Sequence, residues 1–172
     1  MDWRLRRAVP GDEPALALVA AASFLDAFAG ILPGPDIVRH VHANSSVAKF
    51  AGWIADADGA VTLAEHPHGA APVGYTVLTA PDFPLPTGPA DIELRRIYTI
   101  PPATGTGLGA RLMAQAVDDA RALGRTRLLL GVLGTNDRAR RFYERHGFAL
   151  AGERRFRVGE GWYDDVVYAR EL

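Results

Sequence analysis

The 172-residue chain contains no cysteine. That excludes a disulfide scaffold, a Cys-ligated zinc site, an iron–sulfur cluster and a thiol nucleophile together. Lysine is nearly absent too. Lys49 stands beside eighteen arginines (19 basic residues less one), a ratio that reflects a GC-rich genome rather than a function. Neither charge is in surplus: 19 basic against 20 acidic residues leave a formal net charge of −1. Proteins that live on DNA or RNA carry a basic surplus, so no nucleic-acid partner is expected. No run approaches the ~18 apolar residues of a membrane span. The start, Met1-Asp2-Trp3-Arg4-Leu5-Arg6-Arg7, lacks the apolar run of a signal peptide. A soluble, cytoplasmic protein without a membrane partner is the expectation.

What is present is ordinary globular composition, with 48% hydrophobic and 23% charged residues. General disorder, collagen-like repeats and a coiled coil are excluded. One domain over residues 1–172 is expected, long enough to bury a core without staples. Trp3 to Ala8 reads as a strand, punctuated by Pro10-Gly11-Asp12. Asp12-Glu13-Pro14 opens a helix whose apolar residues Leu16, Val19, Ala20, Phe24 and Phe28 recur at helical spacing. Asp36–Val41 and Ser46–Ile54 read as two short amphipathic helices. Val61–Ala64 and Val73–Leu78 are strands, and Pro81–Pro89 is a proline-rich loop.

The second half is more strongly patterned. Ile92–Ile100 is a strand stopped by Pro101-Pro102, neither of which can donate to a ladder. A glycine-rich turn leads into a helix over Gly107–Leu123, with Leu108, Leu112, Met113, Ala116, Val117, Ala120 and Leu123 on one face. Arg127–Leu133 is a continuously apolar strand, as expected at the centre of a sheet. Asn136–His146 is a helix capped by Gly147. Phe148–Glu153 and Asp164–Arg170 close the chain as strands. The order predicts an α/β (α+β) domain with a mixed, mostly antiparallel sheet flanked by helices.

Thr104-Gly105-Thr106-Gly107-Leu108-Gly109-Ala110 lies between a strand and a helix. Glycines let a ligand approach the backbone, and the first helical amides point outward carrying partial positive charge. The first turn has no acidic residue and Arg111 follows it, so an anion such as phosphate suits the place. A tight strand-to-helix turn is the plain alternative. No Gly-Lys-Ser/Thr occurs, which excludes a P-loop. Gly105-x-Gly107-x-x-Ala110 satisfies the dinucleotide fingerprint, but the next strand ends Val132-Leu133-Gly134-Thr135 without the acidic residue that fold requires.

Glu93-Leu94-Arg95-Arg96-Ile97-Tyr98-Thr99-Ile100-Pro101 leads into Gly105-x-Gly107-x-Gly109, followed by Asn136-x-x-Ala139-x-x-Phe142-Tyr143-Glu144-x-x-Gly147-Phe148. In order and spacing these segments resemble the Gcn5-related N-acetyltransferase (GNAT) superfamily from about Asp91 onward. The first half fits the superfamily in element order. Thr104 stands where the superfamily usually carries Arg or Gln, so one side-chain contact to phosphate is in question. Glu93-x-x-Arg96-Ile97-Tyr98, Leu130-Gly131-Val132 and Phe156-x-Val158-Gly159…Asp165 resemble the bacterial polyamine acetyltransferase subgroup.

The resemblance implies a GNAT fold and transfer of an acetyl group from acetyl-CoA to the amine of a small molecule, with a polyamine as the finer expectation and no metal. It places the pyrophosphate on Thr104, Gly105, Thr106, Gly107, Leu108, Gly109 and Ala110, and the thioester along Ile97, Tyr98, Thr99 and Ile100. Tyr143, seven residues after Asn136, becomes the general acid toward the departing thiolate. Its plain alternative is a core tyrosine beside Phe142. Asn136 caps its helix or bonds the pantetheine arm, or does both. Arg138 opens a run with Arg140 and Arg141 that reads as a solvated face or meets the 3′-phosphate. Glu93 is the candidate base, with an ion pair to Arg95 or Arg96 as its alternative. A polyamine pocket would gather Glu93, Asp26, Glu160, Asp164 and Asp165. His40, His42, His66, His68 and His146 lack the companions of a metal site. Acetylation of a protein N-terminus or lysine, a non-catalytic acyl-CoA module and a dinucleotide oxidoreductase are the other readings. A homodimer is left open.

Overall fold

A computed structural model describes residues 2–172. The chain runs β1 (Arg4–Arg7), α1 (Glu13–Phe28), α2 (Gly34–Asn44), α3 (Val47–Ala55), β2 (Ala60–Glu65), β3 (Pro72–Thr79) and β4 (Asp91–Thr99). It continues through α4 (Leu108–Ala122), β5 (Arg127–Leu133), α5 (Asp137–Arg145), β6 (Ala149–Val158) and β7 (Gly161–Glu171). The strands form one seven-stranded sheet in the order β1-β2-β3-β4-β5-β7-β6. Every neighbouring pair is antiparallel except β4 and β5.

Sequence pattern sets which side of each element is covered. Leu16, Val19, Ala20, Ser23 and Phe24 are the buried residues of α1, the i, i+3, i+4, i+7, i+8 series of a helix lying on a sheet. Leu16, Val19 and Ala20 pack with Phe50 of α3 on Val61, Leu63, Tyr75 and Val77, which we call the α1 face. Met113, Ala116, Val117 and Ala120 of α4 pack on Leu78, Ile92, Leu94, Leu128, Leu130 and Val132 from the other side, the α4 face. Phe142 and Tyr143 of α5 join that second core. Burying each such aliphatic side chain contributes about 1.5–3 kcal/mol.

The seam between the halves is short. β4 pairs with β5 only at Asp91↔Arg127, Ile92↔Leu128 and Glu93↔Leu129. Beyond it the two strands diverge, β4 to Thr99 and β5 to Leu133, and the sheet splays open. A bulge starts the divergence. Val77 pairs with Arg96 and Leu78 with Leu94, so Arg95 is the extra residue on β4. Residues 91–94 are buried while 95–99 are half-buried, as befits a strand losing one neighbour.

The last hairpin is longer than the pattern predicts. β6 extends to Val158 and β7 begins at Gly161, past the expected ends at Glu153 and Asp164. Arg154, Arg155 and Arg157 hide the strand period, yet their register partners are regular: Arg154↔Asp165, Arg155↔Asp164, Phe156↔Tyr163 and Arg157↔Trp162. The tip packs Val158 and Tyr163 against Phe24, Leu32 and Ile37 at the α1–α2 corner.

Candidate active site

Three parts of the fold converge on the splay. The first is the turn after β4. Pro101–Ala103 form one 3-10 turn and Ala103 is buried, so the chain cannot continue as strand. Gly105 and Gly107 adopt φ +78° and +86°, a region that a side chain disfavours, and a Cβ on either would stand in open space. Gly107 caps α4 with no side chain bonded to the first turn. The amides of Gly105, Gly107, Leu108, Gly109 and Ala110 therefore have no acceptor among the described residues. Five free N–H groups at a helix N-terminus without an acidic first turn form an anion site.

The turn is braced from the residue just before β1. Trp3, 3% exposed, donates its indole N–H to Thr106 Oγ1 at 3.0 Å. Thr106 in turn donates to the Ala103 carbonyl at 2.6 Å. Thr104 donates to Ile100 O at 3.3 Å, so its hydroxyl is engaged locally. Gly109 differs from its neighbours: a Cβ there would lie in ordinary contact with the Phe142 ring at 3.7 Å, so a side chain larger than a methyl would press on α5. Arg111 is exposed and pairs loosely with Asp2 at 3.5 Å.

The second part is α5. Asn136 accepts the Ala139 amide at 3.1 Å through Oδ1, the capping role of its residue type. Tyr143 is half-buried, its ring packed in the α4-face core near Phe148 and Tyr168. Its hydroxyl has no bonded partner, and burial, with a smaller push from Tyr98, raises its pKa above the usual phenol value. The ring thus packs in the core while its hydroxyl has no hydrogen-bond partner among the described residues. In the arginine run, Arg138 is exposed. Arg140 instead donates to Tyr168 Oη and Gly134 O, both at 3.2 Å.

The third part lies on the α1 face. Glu93, 3% exposed, receives Arg95 Nη2 and the Asp82 amide, each at 3.0 Å. This is the ion-pair arrangement. Burial still outweighs Arg95 and raises the Glu93 pKa. Asp165, 7% exposed, accepts Arg154 Nε at 3.2 Å, and burial raises its pKa also. The Arg154 guanidinium lies over Gly131, where a Cβ would strike it, between the rings of Phe83 (4.8 Å) and Phe156 (5.6 Å). Arg96 donates to Ser45 Oγ and Asn44 O, both at 2.8 Å, and sits 5.0 Å from the Trp53 ring, which ties the α2–α3 corner to β4. His40 stacks on Phe24 at 4.4 Å, and burial together with Arg96 pushes its pKa down to about 4.

The structure brings together at the splay the turn 104–110, Ile97–Ile100, Asn136, Tyr143 and, on the far side, Glu93 and Asp165. It does not bring Asp26, Glu160 and Asp164 to them. Asp26 is exposed, Glu160 pairs with Arg157 at the hairpin tip, and Asp164 is exposed beside Arg155. His66 packs edge-on against Trp3, and no cluster of three metal-binding side chains occurs among the described residues. Sequence reading missed Trp3, Asp82 and Arg154, whose roles depend on partners 103, 11 and 11 residues away.

A model of the acetyltransferase (GNAT) family matches residues 26–148. The chain belongs to the GNAT family. It is an N-acetyltransferase of that family. An uncharacterised N-acetyltransferase of Mycobacterium tuberculosis is 37% identical over 161 residues, covering 94% of this chain and 98% of the relative. A Mycobacterium bovis N-acetyltransferase matches to the same extent. Among solved structures, the PaiA N-acetyltransferase of Thermoplasma acidophilum, in complex with coenzyme A, superposes with TM-score 0.82 at 21% identity over 100% of both chains. The yncA structure from Salmonella typhimurium, with its cofactor acetyl-CoA, gives 0.68 at 18% identity over 100% of this chain and 95% of that one. These likenesses establish the GNAT fold. No helix of the described residues is long and apolar enough to cross a membrane.

Proposed function

We propose that this GNAT N-acetyltransferase, whose acyl donor is acetyl-CoA, acetylates the amine of a small molecule by direct attack. The observation that carries the reading is the pairing of five bare amides, at Gly105 and Gly107–Ala110, with the free hydroxyl of Tyr143 beside the same opening. Bound acetyl-CoA supplies a thioester whose cleavage leaves a thiolate in need of a proton. The amides and the α4 dipole bind the diphosphate, aided by Arg138 for a further phosphate. Asn136, its Oδ1 occupied as a cap, keeps its amide N–H₂ for the pantetheine arm. The β5-side edge of Ile97–Thr99, past the last pair with β5, polarises the acetyl carbonyl, while Ile100 anchors the strand end by donating its N–H to Val73 O. Tyr143 gives its proton to the sulfur.

The amine comes from the α1 face. That side is walled by α2, the 81–89 loop and the β6–β7 tip packed on Phe24 and Ile37, a slot suited to a small molecule rather than a protein tail. Glu93 and Asp165 are the carboxylates there and the candidates for taking its proton. They are also the two that support a polyamine as acceptor. Following free thiol from acetyl-CoA with spermidine, butylamine, glycinamide and phenylalanine tests the reading. Turnover of spermidine well above butylamine at fixed ionic strength supports the polyamine. Equal rates retire it and leave the small-amine reading. No turnover with any amine, together with no acetyl-CoA binding by calorimetry, overturns the whole.

A further inference from the structure

An ammonium group must lose a proton before its nitrogen can attack, and the two acidic candidates occupy different depths of the splay. Glu93 is opposite Leu129, the last residue of β5 that pairs with β4, so it sits at the closed root. Both bonds it accepts fall on one oxygen and fix it to Arg95 and the Asp82 amide. Asp165 pairs with Leu133, four residues further along β5 at the open mouth. Four residues past Glu93 on β4 is Ile97. The bulge at Arg95 spends one residue without advancing the strand, which brings Tyr98 level with Leu133. Val166 and Tyr168 belong to the α4-face core, so Asp165 points to the α1 face by alternation. Tyr98 stacks on Tyr75 on that same face and feels the Asp165 charge.

We propose that Asp165 is the catalytic base of this acetyl transfer, with Arg154 as its positioning residue; this rests on the acetyltransferase reading above. Arg154 holds Asp165 Oδ2 from the neighbouring strand and is itself locked over Gly131 between two phenyl rings. Oδ1 is left free to face the amine. One N–H proton of the ammonium passes to Asp165. The nitrogen lone pair forms the C–N bond while the C–S bond breaks, and Tyr143 protonates the sulfur. The second proton shed as the amide forms returns to the Tyr143 oxygen through solvent. One proton per turnover leaves by Asp165. Acid and base thus stand on opposite faces of the opening, Tyr143 with the α4-face core and Asp165 on the α1 face level with Tyr98.

The charged and titratable groups facing Asp165 are Arg154 on β6, Asp164 beside it on β7, Tyr98 on β4, the Glu93–Arg95 pair deeper on β4, and Asp82 on the covering loop. Asp165→Asn keeps shape and an oxygen for Arg154 but removes basicity. Thiol release with the best amine of the panel above is followed from about pH 6 to 9.5. Asp165→Asn is expected to lower kcat about 10²–10⁴-fold near neutrality. The deficit narrows as pH rises and free amine becomes plentiful, and acetyl-CoA affinity is unchanged by calorimetry. Arg154→Gln removes the cation that favours the carboxylate, so the acid limb of the profile moves to higher pH. Glu93→Gln lowers the rate without moving that limb. A wild-type rate and profile in Asp165→Asn, or an acid limb abolished by Glu93→Gln instead, overturns the proposal. If Asp165→Asn fails to fold, an unmoved limb in Arg154→Gln does so. If the wild-type protein binds acetyl-CoA but acetylates none of the amines, its amine-free hydrolysis of acetyl-CoA decides. A slower hydrolysis in Asp165→Asn supports the base, and an equal one removes it.

Discussion

The two sides of the splay are built from different materials. On the α4 face the site is backbone: bare amides of a glycine turn, a helix end and one phenol on a capped helix. On the α1 face it is side chains: Glu93, Arg95, Arg96, Arg154 and Asp165, each held by a partner from another element. A backbone site needs only the few residues that free the backbone, so it tolerates drift elsewhere and reads from a short motif. A side-chain site needs every member and its support, and can be retuned one residue at a time. On the proposed reading, the α4 face then serves a constant donor and the α1 face a particular acceptor.

Changes on the two faces are expected to separate in kinetics. The largest effect belongs to Tyr143→Phe, which removes one hydroxyl and keeps the ring: kcat falls about 10²–10⁴-fold with acetyl-CoA affinity intact. A retained rate with only a lower Tm makes Tyr143 a core residue. Gly107→Val places a β-branched residue at φ +86° and weakens acetyl-CoA binding about 10- to 100-fold through backbone strain. Gly109→Val acts differently, pushing on Phe142, and its loss is read in thermal stability as well as in affinity. Calorimetric titration of the two separates them.

On the other face, Arg96→Met frees the Asn44 carbonyl and the Ser45 hydroxyl and costs about 2–3 kcal/mol of stability. The acceptor KM rises while the acetyl-CoA KM holds, and a shift confined to the donor KM breaks the division between faces. Trp3→Phe loses one hydrogen bond to the glycine turn. About 1 kcal/mol, or a few-fold rise in acetyl-CoA KM alone, is expected. The effect confined to acid pH belongs to His40. His40 has a folded pKa of about 4 against an ordinary 6.5, so it stabilises above 6.5 and loses that contribution as pH falls toward 4. Glu93 and Asp165, raised by burial, act oppositely, losing stability as pH rises through their folded pKa values. Melting curves of His40→Leu against wild type between those limits should show a flatter acid slope.

That division also explains what the sequence discloses. Strand and helix order, the α4 apolar face, the glycine turn and the Asn136 cap follow local rules of period and capping, and each appears where its pattern predicts. The length of β6 does not, because Arg154, Arg155 and Arg157 replace the alternation with charge, and only the register with β7 shows it as strand. Glu93 is recognisable as a special residue. Its engagement with Arg95 and the Asp82 amide is not, since the second partner is a backbone group on a loop whose course depends on packing. Trp3 reads as an apolar strand residue, and nothing near it in sequence announces a partner at Thr106.

Only three residue pairs join β1–β4 to β5–β7. Such a sheet is stiff along each half and compliant across the join, like two boards sharing a narrow glue line. An acyl donor bound in the gap, as proposed, would add contacts to both edges where strand pairing has stopped, and so act as a splint. Amide protons along residues 94–99 and 130–133 should then exchange with solvent more slowly once it is bound.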